Sequence, residues 1–264
     1  MEYKIISTDF DGTLLTSDKK VTKRNKSALL NYKSNKYIII GISARNLSSV
    51  KNTCDLKMFN YLVLNNGSYV YNVEKSNGKY VDVIDNEDAK KITNYFDNLA
   101  RAIDFCGVNK YYRYKEAVTK TKSDTAQVKS IEEVDEPICR INIFANNNDE
   151  IATYKKYIDE NFNMVDAIIM QDTDSISNEK WITLNPKGLN KFSSLKKLCQ
   201  QLNINSNEVI FFGDGLNDLE IIQGVGLGVA MKNAVPEVKE KAKAVTLSND
   251  EDGVADFLEK LQLT

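Results

Sequence analysis

The sequence contains no histidine at all, and that absence excludes more chemistry than any other feature of its composition. Without an imidazole there is no Ser-His-Asp triad, no Cys-His pair, no His-ligated zinc and no phosphohistidine route. Proton transfer falls to Asp, Glu, Lys, Tyr or Cys. Cysteine is scarce as well: Cys54, Cys106, Cys139 and Cys199 are scattered, with no C-x-x-C pair and no cysteine followed six positions on by arginine. That spacing disfavours a disulfide framework, a zinc ribbon and a cysteine-based phosphatase loop, and the four read as buried thiols. Long apolar runs are missing too. The strongest, Tyr37 to Ile42, falls far short of the ~20 residues that span a bilayer, and the charged start Met-Glu-Tyr-Lys has no signal-peptide stretch. A cytoplasmic protein with no membrane partner is expected. Charge of one sign is also lacking, because 35 basic and 37 acidic residues leave a net −2. Such a balance offers no electrostatic footprint for nucleic acid.

What is present is a chain of 264 residues, 42% hydrophobic and 27% charged, enough for one large or two modest domains with a real core. Short apolar runs ended by turn residues read as buried parallel strands at Tyr37–Ile42, Tyr61–Leu64 and Val209–Phe212, with a weaker one at Lys4–Thr8. Leu227–Met231 and Ala244–Leu247 are further sheet members. Between them Leu189, Phe192, Leu195, Leu198 and Leu202 recur at helical spacing. Strand–helix alternation of this kind predicts an α/β fold, a Rossmann-like doubly wound parallel sheet. The middle differs: helices near Asp85–Ala100 and Glu150–Phe162 and alternating strands at Ile138–Ala145, Val165–Gln171 and Lys180–Leu184 suggest an antiparallel sheet with one covered face. The expected plan is a core of residues 1–81 and 184–264 interrupted by an α+β insertion over 82–183.

Four polar clusters fall at the ends of the predicted core strands: Asp9-Phe-Asp11-Gly-Thr13, Ser43-Ala-Arg45, the Lys187–Lys191 region and Gly213-Asp214-Gly-Leu-Asn217-Asp218. Ligands of open α/β sheets bind just beyond the carboxyl ends of the strands, so these clusters should converge. Four carboxylates in one pocket are costly without a cation, because like charges a few Å apart cannot all stay ionised. Such a hard oxygen set suits Mg²⁺ completed by a substrate phosphate. Lys191 adds positive charge, and Ser43 with the following N–H offers an anion site. With histidine absent, a carboxylate is the available nucleophile, and aspartyl-phosphate formation splits hydrolysis into two easier displacements. Asp9 is placed to attack; Asp11, two residues on, is placed to protonate the leaving oxygen and later deprotonate water.

Asp9-Phe-Asp11-Gly-Thr13-Leu14 resembles the first motif of the haloacid-dehalogenase-like phosphatase superfamily, and Gly213-Asp214-Gly-Leu-Asn217-Asp218 resembles its fourth. Asn65-Asn66-Gly67, Gly228-Val-Ala-Met-Lys-Asn233-Ala and Asn249-Asp-Glu-Asp-Gly253-Val254-Ala255 resemble the Cof-type branch, whose large α+β (type IIB) cap is inserted between the second and third motifs. The resemblance implies Asp9 as nucleophile and metal ligand, Asp11 as acid/base and a ligand through its backbone carbonyl, and Asp214 as the third protein ligand of Mg²⁺. It implies that Asp218 acts from behind these ligands and that Ser43, the Ala44 N–H, Lys191 and Asn217 hold the phosphoryl oxygens. Two positions depart from the family pattern. Ala44 stands where glycine is usual, and Phe192 follows Lys191 where glycine is common; Phe192 is expected to pack on the apolar stripe of its helix. Lys187 rivals Lys191, which is preferred because it follows Gly-Leu-Asn as the family lysine follows Gly-Val-Ser.

Plainer roles exist for several of these residues. Ser43 can be an N-cap and Asp218 can simply complement a helix dipole. Gly224-Val-Gly226-Leu-Gly228 lacks dinucleotide-loop spacing and precedes a strand. The Tyr111-Tyr112-Arg113-Tyr114 cluster could stack a ring-bearing substrate, yet tyrosines on a sheet or cap edge are more often structural. The leading function is a Mg²⁺-dependent phosphatase acting on small phosphorylated metabolites, sugar phosphates or phosphorylated cofactors; the alternative is a phosphomutase of the same superfamily. A receiver module would be half this length. In the insertion, alternation puts Cys139, Ile141, Ile143 and Ala145 on one face of a strand and Arg140 and Asn142 on the other, open face. If that face closes over the catalytic mouth, Arg140 is the candidate contact to the substrate's leaving group or to a second anionic group on it; the plainer role is a solvated arginine on an exposed sheet. Oligomeric state is not legible in the sequence.

Overall fold

The computed structural model describes residues 2–115, 125–171 and 179–261. The chain divides into two compact units, one of residues 1–45, 50–80 and 190–264 and one of residues 46–49 and 81–189. The second boundary falls six residues later than the sequence suggests. The reason is strand pairing: the strand starting at Lys180 runs on to Pro186, which pairs with Val165 inside the second unit.

The first unit is built on an eight-stranded sheet of β1 (Ile5–Asp9), β2 (Ile38–Ile42), β3 (Tyr61–Leu64), β4 (Tyr69–Asn72), β5 (Asn77–Val81), β12 (Val209–Gly213), β13 (Leu227–Ala230) and β14 (Ala244–Val245). Its order is β14-β13-β12-β1-β2-β3-β4-β5. The run from β14 to β3 is parallel, whereas β4 turns back antiparallel on β3. β1 lies between β12 and β2 and is buried at every position, as are all five residues of β12. Strands buried along their whole length belong to a sheet interior, even where, as at Ser7, Thr8 and Asp9 of β1, the residues are polar. The order places the ends of β1, β2 and β12 side by side. The expected parallel core is thus present, with β4 and β5 added at one side; their tyrosine- and asparagine-rich runs carry no apolar signal.

The second unit contains the remaining strands: β6 (Ala102–Cys106), β7 (Tyr111–Lys115), β8 (Thr125–Val128), β9 (Arg140–Phe144), β10 (Val165–Gln171) and β11 (Lys180–Pro186), ordered β10-β11-β9-β6-β7-β8. Helices Asn86–Phe96 and Glu150–Asn161 supply Ala89, Ile92, Phe96, Ile151, Tyr154 and Ile158 to one apolar cluster with Ile103, Phe105, Ile141, Ile143, Ile182 and Leu184. The Tyr95 and Tyr157 rings stack between the two helices at 3.7 Å. Alternation along β9 puts Ile141, Ile143 and, just beyond it, Ala145 into that cluster, as their period-two spacing requires.

Arg140 departs from the expected open face in its exposure. It is only 7% exposed and lies opposite Cys106 in the ladder, with Tyr111 close by. Alternation decides which face a side chain takes; packing on that face decides whether it is accessible. Three members of the tyrosine cluster are engaged inside this unit. Tyr112 belongs to the apolar cluster and donates to Asp135, and Tyr114 donates to Asp97 at 2.5 Å. Arg113 forks onto Asp104.

All four cysteines are free, and Cys106, Cys139 and Cys199 are buried. Burial pushes the Cys54 thiol up to about 12 and Cys199 to about 11, so neither is a nucleophile near neutrality. Among the described residues no helix is long and apolar enough to cross a membrane.

Candidate active site

β1 delivers Asp9 at its carboxyl end, 6% exposed, and the chain then turns through Asp11 and Gly12. Gly12 sits at φ +78°, and a Cβ there would stand 2.3 Å from an Asp214 oxygen. Only glycine allows this loop to lie against Asp214. Thr13 completes the contact by donating to Asp214 Oδ1 at 2.7 Å. β12 delivers Asp214 from its neighbouring position in the sheet.

Asp218 follows in a short 3₁₀ turn, Leu216–Asp218, and both of its oxygens are already engaged. Oδ2 accepts from the Asp214 and Gly215 N–H groups at 3.1 and 3.2 Å, and Oδ1 accepts from Lys191 Nζ at 2.7 Å. Lys191 is the first residue of helix Lys191–Gln201, whose start is set by a reciprocal box between Asn190 and Ser193. The lysine is 3% exposed and its Nζ also donates to Asp9 Oδ1 at 2.6 Å. Its rival Lys187 is exposed and pairs with Asp166 at 2.5 Å in the second unit. Phe192 packs away from this site, its ring lying where a Cβ on Gly224 would be, 2.0 Å from the ring carbon.

Carboxylate oxygens of Asp9, Asp214 and Asp218 lie within 4.8 Å of one another. Two buried acids, Asp9 and Asp218, and the half-buried Asp214 lie near the Lys191 ammonium. Burial raises Asp9 well above the ordinary carboxylate range, and the neighbouring Asp218 and Asp214 raise it further against the pull of Lys191. Burial likewise pushes Asp214 up to about 6, with the Thr13 hydrogen bond working the other way. An added cation would let all three ionise, so the donor set fits a hard divalent metal.

Asp11 has a different environment. Burial raises it, but the hydrogen bonds and charge of Arg45 and Lys19 outweigh that and hold it below the usual carboxylate range. Arg45 grips it with Nε to Oδ2 and Nη2 to Oδ1, both at 2.7 Å, and Lys19 Nζ lies 3.2 Å away. This clamp is invisible in the motif, which supplies Arg45 only as a charge following Ser43. Ser43 is buried at the end of β2, and its hydroxyl accepts from the Arg45 N–H at 3.1 Å. Ala44 follows it, half-buried. Asn217 is exposed, its amide folded over Gly215.

Two asparagines from the C-terminal motifs hold the Asp9–Leu15 loop. Asn233 donates to the Gly12 carbonyl at 2.7 Å and Asn249 to the Leu15 carbonyl at 2.9 Å, with the two linked through Asn249 N–H to Asn233 Oδ1 at 3.0 Å. Asp9, Lys191, Asp214 and Asp218 thus form one connected group, with Asp11 and Ser43 joined through Arg45. Arg140 belongs to the other unit.

A family model described as haloacid dehalogenase-like hydrolase matches residues 6–258. The chain belongs to that family, and as an enzyme it is a phosphoric monoester hydrolase of the superfamily. A Haemophilus influenzae relative is 30% identical over 278 residues, covering 98% of each chain. A Bacillus subtilis relative, named 5-amino-6-(5-phospho-D-ribitylamino)uracil phosphatase, is 27% identical over 97% of this chain and 96% of its own. Among solved structures, one described as a subclass IIB sugar phosphatase superposes with a TM-score of 0.78 at 19% identity, covering 98% of both chains.

Proposed function

We propose that the chain hydrolyses phosphate monoesters of small metabolites, sugar phosphates or phosphorylated cofactors, through a phosphorylated Asp9. The observation that carries this reading is the cluster of buried Asp9, Lys191 and Asp218 with half-buried Asp214 beyond the ends of β1 and β12. The Asp9 carboxylate oxygen attacks phosphorus and the bond to the ester oxygen breaks. Asp11 gives that oxygen a proton, and the alcohol leaves. Asp11 then takes a proton from water as the water oxygen attacks the phosphorus of the acyl phosphate, releasing inorganic phosphate and restoring Asp9. The Arg45 clamp favours the ionised form of Asp11, which is the form the second half-reaction needs. Lys191, Ser43, the Ala44 N–H and Asn217 hold the phosphoryl oxygens, while Asp218 orients Lys191 through the bond at 2.7 Å. Asp9, the Asp11 carbonyl and Asp214 would hold Mg²⁺, which supplies positive charge against the phosphoryl oxygens and the clustered acids. The names of the relatives support phosphorylated ribityl or sugar compounds as the first substrates to try.

The test is phosphate release from a panel of phosphorylated metabolites. Activity is expected without any bisphosphate activator, which separates a phosphatase from a phosphomutase. Chelation is expected to remove the activity and Mg²⁺ to restore it, with Ca²⁺ inhibitory because its looser, larger ligand shell spoils in-line approach. Full activity after exhaustive chelation would refute the metal's part.

Asp11→Asn separates the acid from the nucleophile. Protonation matters most for poor leaving groups, so the loss is expected to be much larger on alkyl phosphates than on an aryl phosphate with an acidic phenol. Equal losses on both classes, measured as kcat/KM, would count against Asp11 as the acid.

A further inference from the structure

Between β3 and β4 the chain makes a turn, Asn65-Asn66-Gly67, in which three successive residues have positive φ: 50°, 56° and 112°. Two of the three are not glycine, and a consecutive pair of side-chain-bearing residues in the left-handed region persists only where the surroundings hold it there. The surroundings here are the two segments proposed to bind phosphate. The Asn66 N–H donates to the Ser43 carbonyl at 3.1 Å, and the Asn65 N–H donates to the Arg45 carbonyl at 3.0 Å. On its other side the Ser43 N–H donates to Val63 at 2.8 Å, so the end of β2 is tied to β3 both before and through this turn.

The first of these bonds has a directional consequence. In a planar trans peptide the C=O and the N–H point in opposite directions. Fixing the Ser43 carbonyl on Asn66 therefore fixes the Ala44 N–H, which belongs to the same peptide, facing away from the turn. Gly67 meets the other segment. A Cβ there would stand 2.4 Å from the Asn190 carbonyl and 3.1 Å from Ser194 Cβ. Asn190 is the cap of the helix that begins with Lys191, so only a residue without a side chain lets the turn abut that helix start.

We infer that Asn65-Asn66-Gly67 is a positioning element of the phosphoryl site: its left-handed backbone aims the Ala44 N–H and seats the helix start that presents Lys191. The inference rests on the phosphatase reading for the identity of the anion. What it assigns to the turn is a backbone role, so the effect of a substitution follows its tolerance for positive φ and not its hydrogen-bonding capacity.

The experiment is a graded series at position 66, made in the full chain: Asn66→Ala, Asn66→Val and the conservative Asn66→Gly, with Gly67→Ala beside them. Each is read by kcat/KM on an aryl phosphate and, independently of turnover, by tungstate affinity in calorimetry. Alanine at 66 is expected to lower both about tenfold and valine more, because left-handed backbone costs alanine and, above all, β-branched residues. Glycine is expected to recover what alanine loses, and Gly67→Ala to weaken tungstate binding at least as much as Asn66→Ala. If valine fails to fold, the alanine–glycine pair decides. Equal losses in Ala and Gly would assign the role to the Asn66 side chain and overturn the inference, as would wild-type tungstate affinity in folded Gly67→Ala. A wild type that binds tungstate but releases no phosphate would instead fail the phosphatase reading, with the binding arm still deciding the role of the turn.

Discussion

Asp9→Asn is expected to abolish turnover while leaving the fold intact. Asparagine has the same shape, and the site loses only one of the two carboxylates that hold Lys191: Asp218 remains at 2.7 Å. Removing a negative charge from three clustered acids, two of them buried, beside one ammonium relieves repulsion, so the melting temperature should not fall. The amide is a far poorer nucleophile toward phosphorus and brings no charge to a metal. A fall in kcat of about 10⁴-fold, roughly 5.5 kcal/mol in barrier, is expected for loss of the covalent step. Residual kcat within tenfold of wild type in steady-state phosphate release would refute Asp9 as nucleophile.

Lys191→Met should damage both activity and stability, and the two can be read separately. The methionine fills much of the same volume but leaves Asp9 and Asp218 buried without their shared cation. Breaking a buried pair by removing one partner costs about 3–5 kcal/mol. At about 2–4 °C per kcal/mol for a chain of this size, a thermal scan in chelator should show a drop of roughly 6–20 °C. The drop should shrink on acidification. Burial raises Asp9 and Asp214 above their ordinary range, so the folded state holds more protons than the unfolded one and stability falls as pH rises through their titration. Removing Lys191 strengthens that dependence. Mg²⁺ should restore part of the melting temperature, since binding to the folded state alone stabilises it by mass action. An unchanged melting temperature in chelator at neutral pH would show that the lysine's charge does not hold this group together.

Much of this site is legible from the chain alone because parallel strands announce themselves twice. They are short, nearly continuous apolar runs, and their carboxyl ends carry the polar residues that a doubly wound sheet gathers in one place. Ile5–Asp9 and Val209–Gly213 lie about 200 residues apart in sequence and side by side in the sheet, and Asp9 and Asp214 follow from that alone. Other elements were silent. β4 and β5 are short and rich in tyrosine, asparagine and glycine, so neither the apolar-run nor the alternation signal marks them. The strand Lys180–Pro186 was readable as a strand, but its last two residues were not, because Asn185 and Pro186 look like a turn until Val165 and Asp166 are seen to pair with them.

Composition and motif by themselves determined the chemistry on offer: carboxylates without imidazole, one lysine after Gly-Leu-Asn, and a serine at a strand end. These are properties of residue type and local spacing, which the chain carries unfolded. The tertiary structure alone decided who partners whom. Arg45 closes on Asp11 across 34 positions, Thr13 reaches Asp214 across 201, both Asp218 oxygens are taken by Lys191 and by backbone, and Arg140 is buried on a strand face that alternation would have left open. Each of these depends on how separate elements pack, and side-chain partnership over such distances has no local pattern to record it.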